Sequence, residues 1–158
     1  MRYLEELKAL IEEALKAKPT RIFEMKALSD LDDVGHAIYV IEEIDGKPEE
    51  TYERFSRYKA GQTRKPKTER RACAALNEPS SILYVGSSTT GIKARIKGHL
   101  GDGAKGTYAL HLSSWFGGEY KVTVRDYGDL DRRVIQLIED DLSYELKPAF
   151  GKKGGNGK

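Results

Sequence analysis

Residues 81–100 read SILYVGSSTTGIKARIKGHL, and the change of periodicity inside this stretch decides the fold class. Ile82, Leu83, Tyr84 and Val85 form a short apolar run, partly β-branched and aromatic, that reads as a strand stopping at Gly86. The polar turn Ser87-Ser88-Thr89-Thr90 leads into a short helix on which Ile92, Ile96 and Leu100 recur at fourfold spacing, a narrow buried stripe. Arg95 and His99 each follow one of these isoleucines by three residues. Two cationic or hydrogen-bonding groups thus stand one turn apart beside a strand that carries a tyrosine and a glycine, an arrangement suited to an anion.

Outward from this stretch, the chain alternates helical and extended signals. Leu4, Leu7, Ile11, Ala14 and Leu15 share one face of a helix from Arg2 to about Lys18, closed by Pro19. That face either packs on its own domain or forms a dimer or partner contact. A stretch with Ile22, Phe23 and Met25 carries no clear period. His36-Ala37-Ile38-Tyr39-Val40-Ile41 is a β-branched and aromatic run of the kind found in central strands, and Asp45-Gly46 marks its turn. Downstream, Thr107 to Phe116 is expected to be a helix with Tyr108, His111 and Trp115 on one side, either buried or available to a nucleic acid. Gly117-Gly118 ends it. Glu119 to Tyr127 alternates as a half-exposed strand. The last element, about Asp129 to Leu146, is a helix with Val134, Ile135, Ile138, Leu142 and Leu146 inward. Glu139 lies on the shoulder of that stripe, either as a helix-edge group or as a carboxylate held inside on purpose. The order is that of an α/β layered domain with a small sheet of few strands and no internal repeat.

A chain of 158 residues with a net charge of +2 is expected to form one domain, and so balanced a total charge says little about partners. Its distribution says more. From Arg54 to Arg71 the basic residues Arg54, Arg57, Lys59, Arg64, Lys65, Lys67, Arg70 and Arg71 face the single acid Glu69, with Phe55 and Tyr58 interleaved. Such a stretch either binds phosphate by counter-ion release, its aromatics stacking on bases, or is a solvated surface insertion. The lone Cys73 excludes an internal disulfide, and no Cys/His spacing suggests zinc. No apolar run reaches membrane-spanning length and no signal peptide is visible, so no membrane is expected and a cytoplasmic location is. The tail GKKGGNGK from Gly151 has nothing to bury.

Taken together, Ala37-Ile38-Tyr39, Tyr84-Val85-Gly86, Arg95, His99 and Glu139 resemble the GIY-YIG nuclease superfamily in order and spacing. The resemblance covers residues 36–151. It extends to Glu139-Asp140-Asp141-Leu142, followed by Lys147-Pro148-Ala149-Phe150, which looks like the family's glutamate helix and its exit into a proline and an aromatic. Three features depart from the pattern: Ala37 stands for the first glycine, Gly151 stands where an asparagine often follows the Pro-aromatic pair, with Asn156 as a stand-in, and the segment between the two motif strands is long.

The resemblance implies a small, mainly antiparallel three-stranded sheet flanked by helices. It divides the chain into an N-terminal helical extension (1–35), a nuclease-like domain (36–151) with an insertion (47–80), and a flexible tail (152–158). It also implies metal-dependent hydrolysis of DNA phosphodiester bonds, with Glu139 as ligand to one Mg²⁺ or Mn²⁺ and Arg95 on the non-bridging phosphate oxygens. Tyr39 would polarise or deprotonate the attacking water and Tyr84 would orient it or the phosphate. His99 would be a second phosphate contact or an alternative base, and Gly86 would let the backbone approach the substrate. The alternatives are a nucleic-acid-binding module on the same fold with weakened catalysis, and an interaction protein that uses the N-terminal helix.

Overall fold

The computed structural model describes residues 2–152; Met1, most of the expected tail and Asn156 lie outside the described residues. The chain order is α1 (Arg2–Lys16), β1 (Arg21–Glu24), β2 (Ala37–Ile44), α2 (Pro48–Gln62), β3 (Ile82–Ser88), α3 (Ile92–Leu100), β4 (Glu119–Asp126) and α4 (Arg132–Leu146). The strands form one antiparallel sheet in the order β1-β4-β2-β3. The sheet therefore has four strands, where three were expected. The added strand is β1, whose Arg21–Glu24 pairs with Thr123–Asp126 at the edge of the sheet. Its residues are mostly exposed, so it carries no inside-outside alternation from which a strand could be read.

The β2 strand lies between β3 and β4 and is buried on both faces, which accounts for its unbroken apolar run. On one face Tyr39, Ile41, Leu83 and Val124 pack with Phe55 of α2, Ile92 and Ile96 of α3, and Phe150. On the other, Ile38, Val40 and Val85 meet Ile135 and Leu142 of α4. The α1 helix rests on α4, with Leu7 and Leu10 beside Leu137, while Leu4, Ile11 and Leu15 remain exposed. The α4 helix starts later than expected, at Arg132, because the Asp131 carboxylate accepts the Arg133 N–H at 2.8 Å and caps it. Among the described residues no helix is long and apolar enough to cross a membrane.

Two local expectations change. Strand β3 does not stop at Gly86 but runs on to Ser88, because Gly86, Ser87 and Ser88 pair with Tyr39, Ile38 and Ala37. The stretch 107–116 is not an α-helix: it is irregular apart from an isolated bridge at Ala109 and a single 3-10 turn at Leu112–Ser114. Its backbone groups are engaged elsewhere. The Ala74 N–H donates to Ala109 O at 3.1 Å, and His111 takes a left-handed conformation with φ of 52°. Of its three aromatics His111 is buried, Trp115 is half-buried with its indole N–H on Leu110 O, and Tyr108 is exposed.

The insertion 47–80 is largely built into the fold. Pro48 presets the first turn of α2. Phe55 is fully buried with its ring centroid 4.4 Å from that of Phe150 and 5.1 Å from that of Trp115. It cannot stack on a base, contrary to the reading of the interleaved aromatics. Its loss leaves a cavity against two aromatic rings, so Phe55→Ala is expected to lower stability by about 3–5 kcal/mol, measured by urea unfolding.

Candidate active site

Strand register begins the site. Tyr39 on β2 lies opposite Gly86 on β3. A Cβ at Gly86 would stand 2.5 Å from the Tyr39 hydroxyl and 2.9 Å from the Tyr84 ring. The glycine thus makes room for the two tyrosines, which is a different reason from the expected approach of substrate to backbone. The two rings are nearly parallel, 8° apart, with centroids separated by 6.1 Å. His99 of α3 closes the group, its ring 4.1 Å from that of Tyr84 and its Nε2 2.9 Å from Tyr39 Oη.

The tautomer of His99 follows from its other nitrogen. The Leu110 N–H donates to Nδ1 at 3.2 Å, so in the neutral ring the hydrogen sits on Nε2 and is donated to Tyr39 Oη. Burial, then the Arg95 charge, pushes the His99 pKa down to about 3. Burial also raises the pKa of both tyrosines, with Arg95 opposing the rise. At neutral pH the group is therefore two phenols and an uncharged imidazole.

Arg95 stands one turn before His99 and is half-buried, its guanidinium within electrostatic and hydrogen-bonding reach of both phenol oxygens. Glu139 enters from α4 on the other side and acts electrostatically on the same two tyrosines. It is only 4% exposed, and its placement inside the protein answers the question its position on the helix left open. Ser87 Oγ donates to its Oε1, Gln136 Nε2 lies 3.4 Å from its Oε2, and Lys152 Nζ lies 3.5 Å from the same oxygen. Ser87, Gln136 and Arg95 also line a groove of 860 Å³, together with Thr89, Thr90 and Arg132.

The structure thus brings Tyr39, Tyr84, Gly86, Arg95, His99 and Glu139 together, and it alters two roles. His99 is 0% exposed, which argues against both a phosphate contact and a base that meets water; its Nε2 meets Tyr39 Oη instead. Tyr39 is likewise fully buried and held as a phenol, which argues against deprotonation of a water by its phenolate. Tyr84 is the more accessible of the pair.

Gly151 has φ of 89°, and a Cβ there would lie 2.6 Å from the Tyr84 ring, so an asparagine at this position would displace that tyrosine. A carboxamide is nevertheless present at the turn. Asn77 donates from Nδ2 to Pro148 O and Gly151 O, both at 3.0 Å.

The basic residues divide into two groups. Lys59 donates to Ala74 O, Arg70 to Lys65 O, and Arg71 to Gly101 O and Ser114 Oγ, while Arg57 pairs with Glu53. Arg54, Arg64, Lys65 and Lys67 are exposed side chains. Lys59 and Arg71 therefore tie the insertion to the body of the domain.

Among the described residues no group of three or more His, Cys, Asp or Glu side chains could cage a metal. A single buried carboxylate that already attracts an ammonium fits an ion of the Mg²⁺ type, which keeps most of its own water. No protein-family model matches the chain, and neither does a curated protein or a solved structure.

The sign of one pH effect is fixed by His99. Its folded pKa lies below the ordinary value of about 6.5, so the unfolded chain binds a proton that the native state refuses. Its contribution is intact above pH 6.5 and is lost as the pH falls through the window toward about 3. Stability should drop by up to about 1.4 kcal/mol per pH unit in that window from this residue alone. Urea unfolding of His99→Gln between pH 6 and pH 4 should show a slope smaller by up to about one proton.

Proposed function

We propose that the chain is a metal-dependent endonuclease that hydrolyses DNA phosphodiester bonds, acting in the cytoplasm. One observation carries the reading: Tyr39, Tyr84, Arg95 and Glu139, drawn from four different elements, lie within electrostatic reach of one another, and Arg95 together with the Glu139 partners Ser87 and Gln136 lines one groove. A purely structural network would have no need to bring a guanidinium and a carboxylate to bear on the same two phenols.

Each residue has a task that its surroundings permit. Arg95, always charged and half-exposed, takes the non-bridging oxygens of the scissile phosphate and stabilises the charge of the phosphorane. Tyr84 orients the attacking water or the phosphate by hydrogen bonding, as a phenol rather than a phenolate. Tyr39, fixed by His99, holds Arg95 and Tyr84 in register and does not meet the substrate. Glu139 would hold one Mg²⁺ or Mn²⁺ through its carboxylate, with Ser87 fixing the other oxygen. When bound, that ion supplies Lewis-acid stabilisation of the displaced oxygen and lowers the pKa of its water.

The second reading, a binding module of weakened activity, is favoured by one specific contact: Lys152 already occupies Glu139. Incubation of supercoiled plasmid with wild type, Glu139→Ala and Arg95→Ala, with Mg²⁺ or EDTA, separates the two. The enzyme reading expects Mg²⁺-dependent nicking that falls about 100-fold or more in either variant. Binding without nicking under every metal condition would leave the module.

The exposed residues Arg64, Lys65 and Lys67 are proposed to meet phosphate. Replacing all three with glutamine should reduce the salt dependence of DNA binding by a log-log slope of about 2–3, measured by fluorescence anisotropy across a salt series. An unchanged slope would place them in solvent only.

A further inference from the structure

Glu139 shares one of its oxygens with a cation from its own chain. Lys152 Nζ lies 3.5 Å from Oε2, and the carboxylate side chain is 6% exposed against 46% for the lysine. The other oxygen is taken by Ser87, and the Gln136 amide that approaches Oε2 at 3.4 Å lies closer to Asp140, at 3.0 Å. Among the described residues the ammonium is thus the cationic partner of a nearly buried carboxylate, and its presence offsets the cost of burying that charge.

This contact is anchored. Phe150, two residues before the lysine, is fully buried, its N–H on Leu83 O at 3.1 Å. Gly151 donates its N–H to Ala75 O at 2.9 Å and accepts from Asn77 at 3.0 Å. The backbone on which Lys152 sits is therefore fixed on both sides of Gly151, and a lysine stem of four methylenes holds its charge in reach of Glu139 at a high effective concentration. An ammonium and a divalent ion cannot share that oxygen, because both need its lone pairs and they repel each other at contact distance.

We propose that Lys152 is a tethered counter-ion of Glu139 that a divalent ion must displace, so that metal loading and release of the Lys152 side chain are one coupled event. The inference rests on the reading of Glu139 as the metal ligand. It assigns Lys152 a positioning role: in the metal-free protein it holds the carboxylate aimed, and it sets the metal concentration at which the site fills.

The test is direct titration with Mn²⁺, read by the electron paramagnetic resonance of the free ion, on wild type, Lys152→Ala, Lys152→Arg and Glu139→Gln. Lys152→Ala is expected to bind about tenfold tighter than wild type, the worth of a partly buried ion pair. Lys152→Arg should bind as wild type does, and Glu139→Gln should lose the site. Lys97→Ala, which removes a charge from the surface of α3, controls for the general field. If Lys152→Ala binds no tighter while Glu139→Gln abolishes binding, the counter-ion is refuted and the metal ligand stands. If Glu139→Gln binds as wild type does, both fall.

A second measurement needs no affinity. Trypsin must take the Lys152 side chain into its own pocket to cut after it, so the ion pair protects that bond. Cleavage after Lys152, followed by intact mass, should be about fivefold faster in Glu139→Gln without metal and in wild type with saturating Mn²⁺. Equal rates in metal-free wild type, metal-saturated wild type and Glu139→Gln would overturn the proposal.

Discussion

The hydrogen bond from His99 Nε2 to Tyr39 Oη is the interaction on which the rest of the site depends. Both groups are completely buried, so an unmet hydrogen bond on either would carry the full desolvation cost of a polar atom in an apolar interior. The bond is made because Leu110 presents its N–H to the other side of the imidazole, which fixes the tautomer. That single backbone amide links the irregular stretch before Trp115 to α3, and through His99 to the central strand.

Gly86 and Gly151 impose a second constraint, from opposite sides of Tyr84. Each leaves space that a Cβ would take from a tyrosine ring, 2.9 Å from Tyr84 at Gly86 and 2.6 Å at Gly151. The ring is thereby clamped between a strand and the turn that leaves α4. Asn77 holds that turn from outside, with its side chain on Pro148 O and Gly151 O and its N–H on Ala149 O. The long segment between β2 and β3 thus does more than decorate the surface. It fastens the exit of the helix that carries Glu139, and a change in α2 or in the 70–77 segment would be felt at the carboxylate.

The elements legible in the sequence are those whose own residues state their burial. The unbroken run of β2, the alternation of β4, the fourfold isoleucines of α3 and the apolar stripe of α4 each announce a face, and the site residues they carry were found with them. The α2 helix was not legible, since few of its side chains, Thr51, Phe55 and Gln62, are buried and two of these are polar. Strand β1 failed for the same reason at the edge of the sheet. The partners of the site were hidden by distance along the chain: Ser87 meets Glu139 across 52 residues, and Asn77 meets Gly151 across 74. Nothing local to either residue marks such a contact.

The electrostatic order of the site limits the chemistry it can perform. Its two fixed charges, Arg95 and Glu139, act on the two tyrosines in opposite senses: the guanidinium favours the phenolates and the carboxylate disfavours them. Burial adds to the effect of the carboxylate, so the tyrosines remain donors of hydrogen bonds across the neutral range. His99 is held uncharged by the same burial. Neither tyrosine nor His99 is thus a base of near-neutral pKa that faces water, and base catalysis by these three groups is weak. On the proposed reading, activation of a nucleophilic water would fall to the divalent ion proposed to replace the ammonium on Glu139. This is why the reading of the site as an enzyme or as a binding module turns on the occupancy of one carboxylate, and not on the tyrosines that first drew attention to it.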